Sequence, residues 1–238
     1  MDASTRVAEV PASQAVQWLA ESFRMFRAQP IQWMGLTAGW VSITFALLVI
    51  PFLGGVVANF LQPAFFASFA IAGYKQSAGE RIVMGDLFTG FRRQMRSQVN
   101  LGAVLLIAEI AIFAIMAAIG LPIASDGEPF SMADYVEALQ GKEWILAFGF
   151  LLTVIVKGAL WFAPPLIAFH GMPTMHAIRW SVYAALANLG AMMVYGAILL
   201  LLFFAGVIPW GLGLVVVLPI MAISTFVGYR EVFEPKRA

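Results

Sequence analysis

The chain reads as an all-α polytopic membrane bundle, with six transmembrane helices in three hairpins and short interfacial helices on one side. Three observations predict it. Of 238 residues, 61% are hydrophobic and 11% charged, with a mean hydropathy of +0.87. A water-soluble domain carries about 25% charged residues, and only lipid-facing surfaces are this apolar. Next, six nearly uncharged stretches of about 20 residues match the length that crosses about 30 Å of hydrocarbon at about 1.5 Å per residue. Finally, the basic residues fall almost entirely on one side of those stretches.

Residues 1–30 form a cytoplasmic N-terminal segment carrying Asp2, Glu9, Glu21 and scattered arginines, with no compact apolar run before Ile31. That pattern is unlike a cleaved secretory signal; the first span is expected to act as an uncleaved insertion signal. The six-helix domain occupies 31–229, and 230–238 form a cytoplasmic tail. The spans fall near 31–50, 52–73, 99–121, 144–169, 189–208 and 210–228. Pro51 and the stretch after it separate the first two, and Pro209-Trp210-Gly211 separates the last two. Breaks this short make antiparallel neighbours.

With the N-terminus inside, the cytoplasmic segments hold Arg6, Arg24, Arg27, Lys75, Arg81, Arg92, Arg93, Arg96, Arg179, Arg230, Lys236 and Arg237. The other side holds Lys142 alone, beside Asp126, Glu128, Asp134, Glu137 and Glu143. This bias puts both termini in the cytoplasm. Trp144 and Trp210 fall at the outer interface, and Trp18, Trp33, Tyr74, Trp180 and Tyr229 near the inner one, either as interfacial anchors or as packing aromatics.

The end hairpins resemble each other. Ala15-Val16-Gln17-Trp18 compares with Ala177-Ile178-Arg179-Trp180, Ile50-Pro51-Phe52 with Ile208-Pro209-Trp210, and Gly73-Tyr74-Lys75 with Gly228-Tyr229-Arg230. Each unit reads as a short amphipathic helix and then a hairpin whose second helix holds a proline, Pro63 or Pro219. The middle of the chain follows the plan more loosely. Asp86 is placed to cap a short helix with Leu87, Phe88, Phe91 and Met95 on one face and Arg92, Arg93 and Arg96 on the other. The arginines are expected to contact lipid headgroups, each worth about 1 kcal/mol near an anionic surface.

Two ionisable residues fall inside spans: Glu109 and Lys157. A charge at mid-bilayer costs about 2.5–3.5 kcal/mol and needs a partner or a role. Counted from the cytoplasmic ends of neighbouring antiparallel helices, their depths differ by about 3 Å. The pair reads as a structural registration of two helices or as part of a transport pathway. Pro63, Pro164, Pro165 and Pro219 are expected to bend their helices, and Gly35-x-x-x-Gly39 offers a close helix contact. His170 and His176 lack the further ligands that a metal requires. The absence of cysteine removes thiolate chemistry. No phosphate loop or hydrolase motif is present, and neither a metal, a cofactor nor nucleic acid is implied.

Phe26-Arg27-x-x-Pro30-x-x-Trp33, Asp86-Leu87-Phe88-x-Gly90-Phe91, Trp161-Phe162-Ala163-Pro164 and Tyr229-Arg230-x-x-Phe233 resemble an uncharacterised family of proteobacterial inner-membrane proteins. The chain is similar, more distantly, to the membrane domains of glycerophosphodiester phosphodiesterases, without their catalytic domain. The resemblance implies a multi-pass protein of a bacterial inner membrane and supplies no catalytic residue. The expected function is non-enzymatic: a module packing against membrane lipids, a membrane-protein partner or further copies of itself. The alternative is a small-solute or ion transporter component using Glu109 and Lys157. An enzyme acting on lipid headgroups through His170, His176 and Asp86 ranks third.

Overall fold

A computed structural model describes residues 6–51, 53–122 and 132–233. Among these, eleven α-helices and one 3-10 turn follow in order: α1 (Gln14–Ala28), α2 (Pro30–Leu48), α3 (Leu53–Ser77), the turn Met84–Phe88, α4 (Thr89–Arg92), α5 (Met95–Ala118), α6 (Met132–Leu139), α7 (Glu143–Ala159), α8 (Ala163–His170), α9 (Thr174–Ala187), α10 (Leu189–Val207) and α11 (Leu214–Phe233). There is no strand among them. Six segments are long and apolar enough to cross a membrane, the fourth being α7 and α8 together. Asp126, Glu128, Lys236 and Arg237, which enter the charge argument, lie outside the described residues.

The helices are arranged concentrically. The proline-bearing α3, α8 and α11 pack together at the centre, with α2, α5, α7 and α10 around them. The short helices close one end, where Ala8 donates its N–H to the Val232 carbonyl at 2.8 Å and so ties the segment before α1 to the end of α11. Near this terminal end the core is aromatic: Trp18, Trp33, Phe69, Phe162, Phe226 and Tyr229 are all fully buried. Most of the buried positions of α3 lie from Pro63 onward, and those of α11 from Pro219 onward. Beyond those prolines the hairpins keep mostly exposed apolar faces, such as Phe45, Leu48, Leu53, Phe203 and Phe204. Side chains like these are stable only against hydrocarbon.

Three expectations need correction. The fourth span is not one helix over 144–169. α7 stops at Ala159 and α8 starts at Ala163. Pro164 and Pro165 occupy the first turn of α8, where the missing N–H has no helical partner to lose, so they start a helix instead of bending one. The backbone freed at the break is satisfied from α9, and α5 adds a bond to the first turn of α8. The Ser181 hydroxyl accepts from the Phe162 N–H at 3.1 Å and donates to the Ala159 carbonyl at 2.7 Å. The Gln98 amide donates to the Pro164 carbonyl at 3.0 Å. Buried side chains commonly repair broken spans in this way.

The middle short element, secondly, is not a continuous helix across 86–96. It is the 3-10 turn, one turn of α4, and a corner at Gln94, whose φ of 52° is left-handed. Thirdly, Gly35 and Gly39 receive the side chains of Met84 and Leu87, not a neighbouring helix. Of the two readings open for the aromatics near the inner interface, Trp18, Trp33 and Tyr229, at 2%, 0% and 0% exposed, take the packing one. The Trp33 indole donates to Gln76 at 2.8 Å.

Candidate functional site

Glu109 continues the buried stripe of α5 that runs through Gln98, Leu101, Gly102 and Leu105. Lys157 sits in the last turn of α7. Its ammonium lies 2.8 Å from the Glu109 carboxylate and donates to the Gln62 amide oxygen at 3.4 Å. Gln62 precedes Pro63 on α3, so three helices meet at one small polar cluster. The two charged side chains are 39% and 32% exposed for Lys157 and Glu109, so they are only half-sheltered. Gln62 escaped the sequence reading because that reading tracked charge. The available signal was an uncharged polar residue in the middle of an apolar span.

Other polar groups near this depth do not extend the cluster into a chain. The Asn59 amide donates to the Gly55 carbonyl, and the Thr153 hydroxyl to the Gly149 carbonyl, each within its own helix. The cluster is neutral as a whole. Its geometry registers α5 and α7 against α3, and it offers a paired acid and base to anything that reaches it.

The corner bearing Arg92, Arg93 and Arg96 is rigidly seated. Asp86 accepts the Val83 N–H at 2.8 Å and pairs with Lys75 on α3 at 3.0 Å. It therefore bonds back from inside the turn instead of occupying the capping position itself. Leu87 is 1% exposed. The Gly90 N–H donates to the Ser68 hydroxyl at 2.8 Å, and a Cβ on Gly90 would lie 2.1 Å from the Ala64 carbonyl oxygen. Phe91 meets the edge of Phe65 at 4.8 Å. The Asp-Leu-Phe-x-Gly-Phe segment is thus a docking device. It holds Val83, Met84 and Phe88 exposed beside the three exposed arginines.

The short elements dock by one rule. α1 lies on α10 and α11, the Met84–Arg92 corner on α3, and α9 on α8 and α7. Each covers the hairpin of a different unit. Two of the three seams are closed by ion pairs: Arg230 with Glu21 at 2.8 Å, and Lys75 with Asp86. The histidines do not converge on one site. His170 shares a 2.7 Å hydrogen bond with the Tyr229 hydroxyl, whereas His176 is exposed on α9. Among the described residues no three His, Asp or Glu side chains could hold a metal.

Two grooves flank the terminal end. One, of about 210 Å³, is lined by Gln14, Gln17, Trp18, Glu21, Arg24 and Glu231 among others. The other, of about 240 Å³, is lined by His176, Arg179, Trp180 and Tyr183.

The chain is similar to a protein of Burkholderia thailandensis described as a probable inner membrane protein. The two are 25% identical over 232 residues, covering 92% of this chain and 82% of that one. The likeness is consistent with an uncharacterised group of membrane proteins. It lends nothing to the resemblance to phosphodiesterase membrane domains. No family model matches the chain, and no solved structure matches it.

Proposed function

We propose that this chain is a non-enzymatic module of a bacterial inner membrane, with both termini cytoplasmic, that packs against lipids and membrane-protein partners. The observation that carries this reading is the seated corner at Met84–Arg96. The fold fixes it firmly to α3 through Gly90 and Asp86, yet it presents exposed apolar side chains next to exposed arginines. That is the chemistry of the layer where acyl chains meet phosphate headgroups. The relative's description and the one-sided basic residues support the inner membrane and the orientation. Single cysteines in place of Arg92 and Asp126 test the orientation. Impermeant thiol reagents should label them from opposite faces of the membrane, and labelling from the same face would overturn it. Extraction in a mild detergent tests the partner. A stoichiometric companion, or a second copy of the chain, should accompany the protein, and consistent recovery of a bare monomer counts against it.

A second reading is favoured by the convergence of Gln62, Glu109 and Lys157 on three helices. Paired charges at mid-depth suit a component of a small-solute or ion transporter. On that reading Glu109→Gln abolishes flux into reconstituted vesicles while the protein stays folded; undiminished flux would refute it.

A further inference from the structure

The two grooves at the terminal end occupy equivalent positions of the internal repeat. Aligning Trp18 with Trp180 places Gln14 against His176, Gln17 against Arg179 and Glu21 against Tyr183. The same four positions therefore line both grooves, with opposite chemistry. In the α1 groove the position three residues after the tryptophan is an acid, and it closes its seam by binding Arg230. In the α9 groove that position is Tyr183. The acid is gone, and Arg179 and His176 stand where α1 has two neutral amides. Neither makes an ion pair with another described residue.

The tryptophans diverge too. Trp18 is sunk into the core, edge-on to Tyr195 at 5.9 Å. Trp180 remains partly exposed and meets Tyr183 edge-on at 6.1 Å, with Tyr183 itself 57% exposed. The four residues of the α9 groove recur at intervals of three and four, so they share one helical face. One face thus offers a cation and an imidazole followed by two amphipathic rings.

We propose that this face of α9 is a binding site for an anionic phospholipid of the leaflet on the terminal side. Arg179 and His176 take the phosphate through charge-assisted hydrogen bonds, and an acyl chain lies along Trp180 and Tyr183. A phosphate alone satisfies the cationic end and leaves the aromatic wall bare, which is why the occupant is a lipid and not a free anion. The site rests on the reading of this chain as a lipid-contacting module.

The test uses the full chain in nanodiscs of equal phosphatidylglycerol and phosphatidylcholine, released into native mass spectrometry. The wild type should retain phosphatidylglycerol in preference to phosphatidylcholine. Arg179→Gln should lower that preference about fivefold, the weight of one arginine near a lipid surface. Trp180→Ala should lower retention of both lipids. Arg24→Gln, a change of the same charge on the same end, should leave the preference unaltered. Added inorganic phosphate should not displace the lipid. An equal loss from Arg24→Gln and Arg179→Gln, or displacement by phosphate, overturns the site while leaving a general lipid-contacting surface intact. A wild type that retains neither lipid overturns the module reading as well.

Discussion

The half of the bundle near the termini and the half beyond Pro63 and Pro219 are built from the same helices by different rules. In the terminal half, polar side chains join one helix to another. Ser68 holds Gly90, Ser181 holds both sides of the α7–α8 break, Gln76 bridges Trp33 and the Met25 carbonyl, and Tyr195 bonds Ser224. In the far half, Asn59 and Thr153 bond only their own backbone. The glycines mark close contacts in both halves. A Cβ on Gly90 would strike the Ala64 carbonyl in the terminal half, and one on Gly54 or Gly102 would strike the backbone at Leu47 or Asn59 in the far half, whereas one on Gly55 meets nothing within 4 Å. Interhelical hydrogen bonds are concentrated at one end, and the other end joins its helices by close backbone contacts beneath an apolar surface that the bilayer covers. Helices in lipid gain no hydrophobic drive from association, so close packing and interhelical hydrogen bonds must supply the cohesion.

The largest effect is expected where that cohesion is tightest. Gly90→Val places a branched side chain against the Ala64 carbonyl and the Ser68 amide. It should cost about 3 kcal/mol or more, beyond the usual range for overpacking because backbone cannot yield as a side chain does. Gly55→Ala should instead be neutral or stabilise by up to about 1 kcal/mol, since alanine is the better helix former. Unfolding in mixed micelles, followed by circular dichroism, reads both. Equal destabilisation would show that the Gly90 contact with α3 is no tighter than the open position at Gly55.

The Gln62–Glu109–Lys157 cluster lies at the boundary. Glu109→Ala leaves the Lys157 ammonium with only the long contact to Gln62. It should cost about 2 kcal/mol, below the full insertion penalty of an unpaired mid-membrane charge because the pair is half-sheltered. Replacing both with apolar residues, Glu109→Leu with Lys157→Met, should restore most of the loss, because removing a whole pair leaves no stranded charge. A double variant as unstable as the single ones would show that the pair does more than register helices.

The six spans and the Glu109–Lys157 contact were legible in the sequence, whereas the contrast between the halves was not, and the reasons are physical. Charge-free length sets the six spans, and the opposite charges at matching depth set the Glu109–Lys157 contact. The same pattern could not reveal that the fourth span breaks at 160–162. Hydropathy is blind to a break whose backbone is satisfied by Ser181, a residue twenty positions later in the chain. It also could not separate a buried tryptophan from an interfacial one. Trp18 and Trp180 occupy matching repeat positions, and only the third dimension shows one enclosed by α10 and α11 and the other open.

The smallest expected effect sharpens the comparison most closely, because it changes a single oxygen atom in each half. Ser181→Ala removes an acceptor from the Phe162 N–H and a donor from the Ala159 carbonyl, both at the break. Ser181 is fully buried, so both backbone groups are left without water. The loss should be about 1–2 kcal/mol. Thr153→Val keeps the shape of its side chain and removes a bond to a carbonyl that its own helix already uses, so it should cost well under about 1 kcal/mol. If hydrogen exchange in the Ala159–Phe162 segment rises in Ser181→Ala and is unchanged in Thr153→Val, hydroxyls hold helices together only in the terminal half. A matching rise in both would place the repair of the broken span in the bilayer itself and not in α9.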